Sequence, residues 1–238
     1  RPVRAMVRPA GRLDLLAGLP AESLVRADME DAPSLTRAAE GCDAVVHCAA
    51  TTSQGAPDEA LSRRTNVAGT AALLEACRGA GARRFILISS QSAHPDNPSV
   101  YGRTKLEQEQ VVRAATDVEW TILRPSIIYG PRSRGIFDKM AAYCRKLPVV
   151  PIVGSGREPM RPIHVEDVAG AVLDCLDHPV TIGRAYDLGG ADAMTFNEFI
   201  AEIRRAMGRP VRLFHIPLPL ALAMARVLSA LSRNPPLT

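Results

Sequence analysis

The sequence is poor in aromatic residues and has no cluster of positive charge, and both absences bear on its partners. Aromatic residues make up 4% of the 238 positions, which leaves few side chains for the stacking platforms that bind single-stranded nucleic acid. The 29 basic and 25 acidic residues give a net charge of +4, and the arginines that dominate the positive charge are scattered along the chain. We therefore expect no nucleic-acid partner.

Paired cysteines and long apolar runs are also missing. The five cysteines are odd in number and show no Cys-x-x-Cys spacing, which favours unpaired thiols in a reducing cytoplasm and predicts no structural metal. We recognise no signal peptide and no uncharged apolar run of the roughly 18 residues that a membrane span needs. With 238 residues the chain is long enough for one α/β domain with an appendage.

The clearest chemical pattern lies where a predicted strand ends. Residues 85–88 form an unbroken apolar run, Phe-Ile-Leu-Ile, of the kind that fills a buried parallel strand. Ser89 and Ser90 follow it directly. They would stand at the carboxyl edge of the sheet, where open α/β sheets bind their ligands.

Tyr101 and Lys105 are four residues apart on a predicted helix, so their side chains would share one face. The phenol of a tyrosine ordinarily has a pKa near 10, and a neighbouring ammonium group would lower it toward neutral pH. With a serine hydroxyl to hold the substrate oxygen, this set suits proton transfer to a carbonyl or from an alcohol. The alternative is a surface helix that carries an incidental tyrosine and lysine.

Two further positions lie where a nucleotide-binding sheet would meet the adenosine part of its ligand. At the end of the short predicted strand 2–8, an acid would bind the ribose 2′-hydroxyl, whereas an arginine suits a 2′-phosphate. Arg8, with Arg12 behind it, therefore favours NADP over NAD. Asp28, near the end of the next predicted strand, would either accept a hydrogen bond from the adenine amino group or cap the helix that follows.

Other segments are predicted to approach the same ligand. The strand 44–50 runs into small residues, which let a backbone come close to a ligand, and His47 within it is interpreted as a hydrogen-bonded core residue rather than a base. Asn66 would bridge backbone groups near the active-site helix, or else be an ordinary polar residue. Pro125 ends strand pairing, so the backbone beyond it is free to meet a nicotinamide ring.

The C-terminal part departs from the regular alternation of strands and helices. A helix from about 135 to 147 has no strand before it, and Thr195 with Glu198 fits a capping box. Residues 216–231 are apolar but too short and too interrupted to span a bilayer. This segment would form a core helix of a cap, line a lipophilic pocket, or contact a membrane surface or a partner.

Seven short motifs occur along the chain in the order in which one family carries them. They are Asp28-Met29, His47-Cys48-Ala49-Ala50, Asn66-Val67-Ala68-Gly69-Thr70, Ser89-Ser90, Tyr101-Gly102-Arg103-Thr104-Lys105, Leu123-Arg124-Pro125 with Tyr129-Gly130-Pro131, and His164 to Ala169. Together they resemble the short-chain dehydrogenase/reductase superfamily, in its extended or atypical NAD(P)-dependent epimerase/dehydratase branch, over nearly the whole chain.

The resemblance implies an α/β fold: a Rossmann-like, doubly wound parallel sheet with a small C-terminal substrate cap. Residues 1–130 would form the NAD(P)-binding Rossmann domain, 131–160 a cap insertion, 161–190 a return to the Rossmann domain, and 191–238 the C-terminal cap. The first strand and its Gly-rich phosphate loop are expected to be missing from this chain.

The resemblance also implies roles for individual residues. Ser90 matches the catalytic hydroxyl, Tyr101 the acid/base, and Lys105 the residue that binds the nicotinamide ribose and lowers the pKa of the tyrosine. The cofactor, NADP in preference to NAD, would contact Arg8, Asp28, Met29, Cys48, Ala49, Ala50, Asn66, Ser89, Tyr101, Lys105, Pro125 and Ile128.

The loop before the tyrosine bears on the substrate. Ten residues separate Ser90 from Tyr101, fewer than in the sugar-nucleotide epimerases of this branch, so a nucleotide sugar is not expected. The short loop, Arg8 and the apolar tail ending in residues 235–238 are more similar to the atypical group related to the NADPH-binding accessory subunit of respiratory complex I.

Two hypotheses follow. One is a cytoplasmic oxidoreductase or epimerase that acts on a small-molecule carbonyl or alcohol. The other is an NADPH-holding structural or assembly protein of a membrane respiratory complex, with a membrane-surface or quinone contact through the apolar tail. A homodimer is compatible with either.

Overall fold

The computed structural model describes residues 2–14, 16–52, 58–131, 136–210 and 212–231. The chain forms two compact units. The first takes in the described parts of residues 1–53, 57–124 and 172–186, and the second those of residues 125–171 and 187–238.

Strands and helices alternate along the first unit, as predicted for an α/β fold. In order they are β1 (Ala5–Val7), β2 (Leu24–Arg26), α1 (Ala32–Ala39), β3 (Ala44–His47), α2 (Glu59–Ser62), a π-helical segment (Arg63–Ala68), α3 (Gly69–Ala80), β4 (Arg84–Ile88), α4 (Val100–Ala114) and β5 (Glu119–Pro125). Helix α3 ends at Gly81, whose φ of 74° is readily adopted by glycine.

Shorter elements follow. They are β6 (Ile128–Tyr129), α5 (Ile136–Lys146), β7 (Val150–Val153), β8 (Pro159–Met160), β9 (Ile163–His164), α6 (Val165–Asp177), β10 (Arg184–Leu188), β11 (Met194–Thr195), α7 (Phe196–Ala206), β12 (Leu213–Ile216) and α8 (Leu218–Leu231). The end of α6 and most of β10 belong to the first unit.

A four-stranded sheet in the order β10-β5-β4-β3 forms the centre of the first unit. β3, β4 and β5 run parallel, with His47 opposite Leu87 and Ile88 opposite Leu123. Phe85, Leu87 and other side chains of the sheet are fully buried. The carboxyl ends of β3 and β4 therefore reach one edge, which brings the residues after both strands into one neighbourhood.

An open slot lies between β1 and β3. It is a cavity of about 1000 Å³, lined by residues 2–6 on one side and residues 44–49 on another. Among the described strands, β1 pairs with β2 alone and β3 with β4 alone. A parallel strand placed in the slot would have both of them as neighbours, and the missing first strand stays a prediction.

The helix-capping alternative for Asp28 is wrong. The cap of α1 is Asp31, whose carboxylate accepts a hydrogen bond from the backbone N–H of Ser34 at 3.4 Å. Asp28 instead accepts from the N–H of Glu30 at 3.1 Å, in the turn that follows β2. Its predicted contact with adenine stays a prediction.

The second unit has its own core, in which Cys144, Ile152 and Ile200 are fully buried. The capping box at the start of α7 is confirmed: Thr195 accepts from the N–H of Glu198, and the carboxylate of Glu198 accepts from the N–H of Thr195. The predicted helix before β7 is also present as α5. Residue 135, where it was expected to begin, lies outside the described residues.

A buried arginine ties α7 to the end of α5. Arg204 is 1% exposed, and its guanidinium donates to the carbonyls of Cys144 (3.2 Å), Leu147 (2.8 Å), Pro148 (3.1 Å) and Pro210 (2.7 Å). The carbonyls at the end of a helix lack partners within that helix. Arg204 therefore satisfies these groups from inside the core.

The apolar tail forms α8, but the part with described side chains does not lie in a core. Leu218, Leu220, Leu222 and Met224 are 46–55% exposed, so the core-helix interpretation is wrong for them. Residues 235–238, at the end of the tail, lie outside the described residues. Within the described ranges, every helix is too short or too polar to cross a bilayer.

Candidate active site

Ser90 and Tyr101 meet beyond the end of β4. Helix α4 begins with a cap in which the hydroxyl of Ser99 accepts a hydrogen bond from the N–H of Gly102 at 3.0 Å. This start places Tyr101 in the first turn, where its phenol is close enough to the hydroxyl of Ser90 for that group to lower the pKa of the phenol. Two groups that are eleven positions apart in sequence can therefore share one substrate oxygen.

Tyr101 is held as a protonated phenol. Burial raises the pKa of Tyr101, and the hydrogen bond with Ser90 offsets only part of that effect. The predicted lowering of this pKa by Lys105 is wrong for this structure. The reason is that the ammonium group of Lys105 is bound elsewhere.

Lys105 is 1% exposed and donates to the carbonyl of Ile88 at 2.8 Å and to Oε1 of Gln108 at 2.5 Å. Burial lowers the pKa of Lys105 to about 8, against the opposing effect of Glu109. An ammonium group has three N–H donors. Two are engaged by these described partners, so the third can serve a ligand.

Glu109 anchors the strand ends to α4. Its buried carboxylate accepts from the hydroxyl of Ser89 at 2.6 Å and from two nitrogens of Arg124 at 2.8 and 2.6 Å. Burial alone would raise the pKa of Glu109, but the bonds from Arg124 and Ser89 outweigh it and lower the pKa. Because the proton of the Ser89 hydroxyl is used here and its backbone N–H donates to the carbonyl of Leu123, only acceptor atoms of Ser89 are left for its predicted cofactor contact.

His47 is a hydrogen-bonded core residue, as interpreted from the sequence. It is 2% exposed, and its Nε2 lies 2.8 Å from the Thr70 hydroxyl and 2.9 Å from Nε2 of Gln108. Burial, together with the charge of Lys105, lowers the pKa of His47 to about 3. Its imidazole is therefore neutral at physiological pH.

Asn66 bridges backbone groups near α4, which confirms that expectation. Its Oδ1 accepts from the N–H of Thr51 at 2.7 Å, and its Nδ2 donates to the hydroxyl of Thr104 at 3.0 Å. Asn66 lies in the π-helical segment, a distortion that frequently occurs at functional sites. Its contact with a cofactor stays a prediction.

Arg8 follows β1 and is exposed. Its carbonyl accepts from the guanidinium of Arg26 at 2.7 Å, which holds the loop after β1 in place. Arg12, by contrast, is engaged by both carboxylate oxygens of Asp14 at 3.0 Å. The sequence-based argument overlooked this acid, and only Arg8 is left to support the NADP prediction.

The other predicted cofactor residues are divided between core and surface. Met29 is 3% exposed and lies in the core of the first unit. Cys48 and Ala49 line the slot between β1 and β3, and Ala50 is half-buried. Only backbone atoms of Met29 could face a nucleotide, whereas the small residues after β3 leave room for one.

Pro125 is the last residue of β5 and Ile128 the first of β6. Both belong to the second unit, and their cofactor contacts stay predictions. Within the described ranges, no group of three or more histidine, cysteine, aspartate or glutamate side chains could hold a metal ion.

Sequence reasoning missed Gln108. It stands three residues after Lys105, a spacing at which helix side chains meet, so the contact between them could have been predicted. Its contact with His47 spans 61 positions and could not, because it depends on how α4 packs beside β3.

The parallel sheet, the serine–tyrosine pair and the buried lysine define a Rossmann-like protein of the class that binds a nicotinamide dinucleotide. Comparison of the sequence with known protein families identifies the family within that class. The pattern of the NAD dependent epimerase/dehydratase family matches residues 3–189, and the chain belongs to that family.

Several known proteins are similar to the chain. It is 35% identical over 147 residues to NADH dehydrogenase [ubiquinone] 1 alpha subcomplex subunit 9 of Arabidopsis thaliana. That alignment covers 61% of this chain and 36% of the relative. It is 33% identical over 216 residues to the ceramide reductase of Caulobacter vibrioides. This second alignment covers 88% of this chain and 64% of the relative. The chain thus spans less than two thirds of either protein.

A solved structure supports the fold. The dTDP-glucose 4,6-dehydratase DesIV of Streptomyces venezuelae, a double mutant with NAD and DAU bound, superimposes with a TM-score of 0.77. The match covers 91% of this chain and 76% of that one, at 22% identity. At this level of identity the likeness shows a common fold and nothing about the substrate.

Proposed function

We propose that the protein is an NAD(P)-dependent oxidoreductase that reduces a carbonyl group, or oxidises the matching alcohol, with Tyr101 as the proton-transferring residue. The observation that carries this proposal is that the Ser90 hydroxyl interacts with the phenol of Tyr101 and lowers its pKa, beyond the end of a strand of the parallel sheet. A substrate oxygen placed between the two hydroxyls could be held by one and protonated by the other.

The residues present fit a nicotinamide dinucleotide. The small side chains of Ala49 and Ala50 permit the close approach of a ligand after β3. Lys105 keeps one N–H donor for a ribose hydroxyl. When bound, the cofactor would supply the hydride that forms the new C–H bond.

The chain itself would supply the proton. The raised pKa of Tyr101 keeps the phenol protonated at neutral pH, as reduction of a carbonyl requires. Tyr101 would give this proton to the carbonyl oxygen while Ser90 holds that oxygen. The phenolate left behind would be stabilised by the hydroxyl of Ser90, which lowers the pKa of Tyr101, until Tyr101 takes up a proton again.

We infer NADPH as the preferred reductant and a lipophilic carbonyl compound as the substrate class. Arg8, exposed after β1, supports the first inference. A relative named ceramide reductase aligns with 88% of the chain, and the large apolar side chains of α8 are about half exposed. Both observations favour a long-chain ketone over a nucleotide sugar.

A panel of substrates tests this function. Full-length protein is mixed with NADPH or NADH and with long-chain ketones, quinones and nucleotide sugars, and the absorbance of the reduced cofactor is followed. We expect oxidation of NADPH by at least one lipophilic ketone. Tight binding of NADPH without turnover of any compound would contradict the proposal.

The second candidate function is a protein that holds NADPH within a membrane complex. Two observations favour it: a relative is a subunit of NADH dehydrogenase, and α8 presents exposed apolar side chains. On this account the protein sediments with membranes in a defined complex and binds NADPH without turnover. Cytoplasmic location and a homodimer remain predictions of the enzymatic account.

A further inference from the structure

A buried hydrogen-bond network reaches Lys105 from the side of α4. Gln108, Thr70 and His47 are 0–2% exposed, and Gln108 connects the other two to the ammonium group. None of these three side chains has a part in the proton transfer proposed above. Burying a polar network of this kind costs folding free energy unless every donor and acceptor has a partner. The pairing of its donors and acceptors therefore shows which arrangement is stable.

The chemistry of Lys105 fixes how the amide of Gln108 is turned. An ammonium group can only donate. The atom of Gln108 that lies 2.5 Å from Lys105 must therefore be its oxygen, and its NH₂ group must face the other way.

The NH₂ group of Gln108 in turn fixes the state of His47. Its nitrogen lies 2.7 Å from the hydroxyl of Thr70 and 2.9 Å from Nε2 of His47. Both of its protons are used if both partners accept. Nε2 of His47 must then carry no proton, so the neutral imidazole bears its proton on Nδ1.

The Thr70 hydroxyl completes the network. Its single proton serves the carbonyl of Asn66, at 2.6 Å, because Gln108 already uses the one lone pair of Nε2 of His47. Its oxygen is then free to accept from Gln108. In this arrangement the ammonium group of Lys105 supplies the donor that Oε1 of Gln108 needs.

We propose that Gln108 is a positioning residue, which His47 and Thr70 orient so that it holds the Lys105 ammonium at the end of β4 with one N–H left for the cofactor. The proposal rests on the proposed function, since the cofactor is what the last N–H would bind.

Two substitutions separate positioning from simple packing. Gln108→Met keeps the shape of the side chain but removes the acceptor of Lys105 and the donor to His47. Gln108→Glu keeps an acceptor and adds a negative charge beside the ammonium group. Gln110→Met is the matched control, because Gln110 lies two residues further along α4 and is exposed.

The first measurement is the titration of Lys105 by NMR of ¹³C-labelled lysine in full-length protein, with its signal assigned through Lys105→Arg. The charges and titratable groups around it are Glu109 on α4, and His47 and Cys48 at the end of β3. We expect Gln108→Glu to raise the pKa of Lys105 and Gln108→Met to lower it. Gln110→Met should leave it at the wild-type value.

The second measurement is the dissociation constant of NADPH, which does not depend on turnover. Gln108→Met should weaken binding roughly tenfold, as expected when a charged donor loses its place, and Gln110→Met should not. An unmoved Lys105 titration in a folded Gln108 variant, or an unmoved dissociation constant in folded Gln108→Met, overturns the proposal, even if the melting temperature falls. If Gln108→Met does not fold, the titration of Lys105 in Gln108→Glu decides.

The proposed function can fail on its own. If both readings move as expected but no carbonyl compound is reduced by any form of the protein, Gln108 positions Lys105 in a protein that binds NADPH without turning it over.

Discussion

At the residue scale, burial decides the state of each titratable group in the site. Tyr101 has a raised pKa, whereas Lys105 and His47 have lowered ones, and in each case the main cause is removal of the charged form from water. All three groups are therefore biased toward their neutral forms. A neutral phenol suits a proton donor, and a neutral imidazole suits a hydrogen-bond acceptor.

The choice of cofactor also belongs to this scale. Arg8→Ala should weaken binding of NADPH about tenfold or more and leave NADH almost unchanged, because a hydrogen-bonded charge on a 2′-phosphate contributes about 1.5–3 kcal/mol. Dissociation constants of both cofactors, measured by titration of full-length protein, check this.

Arg12→Ala is the control, since Arg12 is already bound by Asp14. It should change neither constant by more than about twofold. Equal losses of NADPH and NADH affinity in Arg8→Ala would mean that Arg8 does not read the 2′-phosphate.

At the scale of elements, the start of α4 depends on close contact with the loop before it. A Cβ atom on Gly102 would lie 2.6 Å from the carbonyl oxygen of Ser92 and 2.6 Å from Cγ of Asn97. Gly102→Ala should therefore cost about 1–3 kcal/mol of folding free energy. It should also lower activity, because the turn that carries Tyr101 must shift.

Gly79→Ala is the matched control for that substitution. Gly79 lies in α3, and its Cβ would meet nothing within 4 Å. Alanine there should be neutral or stabilise the protein by up to about 1 kcal/mol. Denaturant unfolding followed by circular dichroism compares the two variants. Equal stability of both would show that the contact around Gly102 is not restrictive.

The elements also show how far the sequence can be interpreted. The apolar run of β4, the serines after it and the spacing of Tyr101 and Lys105 predict a strand, an edge and a helix, and all three are present. These features depend on neighbours in sequence. The direction of the Tyr101 pKa and the contact of Gln108 with His47 depend on burial and on packing between α4 and β3, which local spacing does not encode.

The slot beside β3 also depends on how strands pair, which local spacing does not encode. Only the structure shows the cavity of about 1000 Å³ between β1 and β3. By contrast, the engagement of Arg12 by Asp14 is local and could have been predicted from their spacing of two residues.

At the scale of the whole molecule, buried Lys105 links stability to pH. Its pKa is about 8 in the folded protein and 10.5 as the ordinary value. Between these values the unfolded chain holds a proton that the folded chain has lost, so the free energy of unfolding rises with pH in this window. Below about pH 8 both states are protonated and this contribution is constant.

The difference in unfolding free energy between wild type and Lys105→Met isolates the effect. It should rise between about pH 8 and 10.5, with a slope of at most about 1.4 kcal/mol per pH unit. Lys139→Met, at an exposed lysine, is the matched control measured over the same pH range. A flat difference for Lys105→Met would show that the pKa of Lys105 is not lowered.

The most direct test of the central claim compares two tyrosines in full-length protein. Tyr101→Phe removes the hydroxyl that interacts with Ser90. Tyr143→Phe removes the hydroxyl of a tyrosine in the second unit that is 48% exposed. With a ketone that wild type reduces, we expect Tyr101→Phe to lower kcat about 100-fold or more with little change in NADPH affinity, and Tyr143→Phe to behave as wild type. Wild-type turnover by Tyr101→Phe would contradict the assignment of Tyr101 as the proton donor.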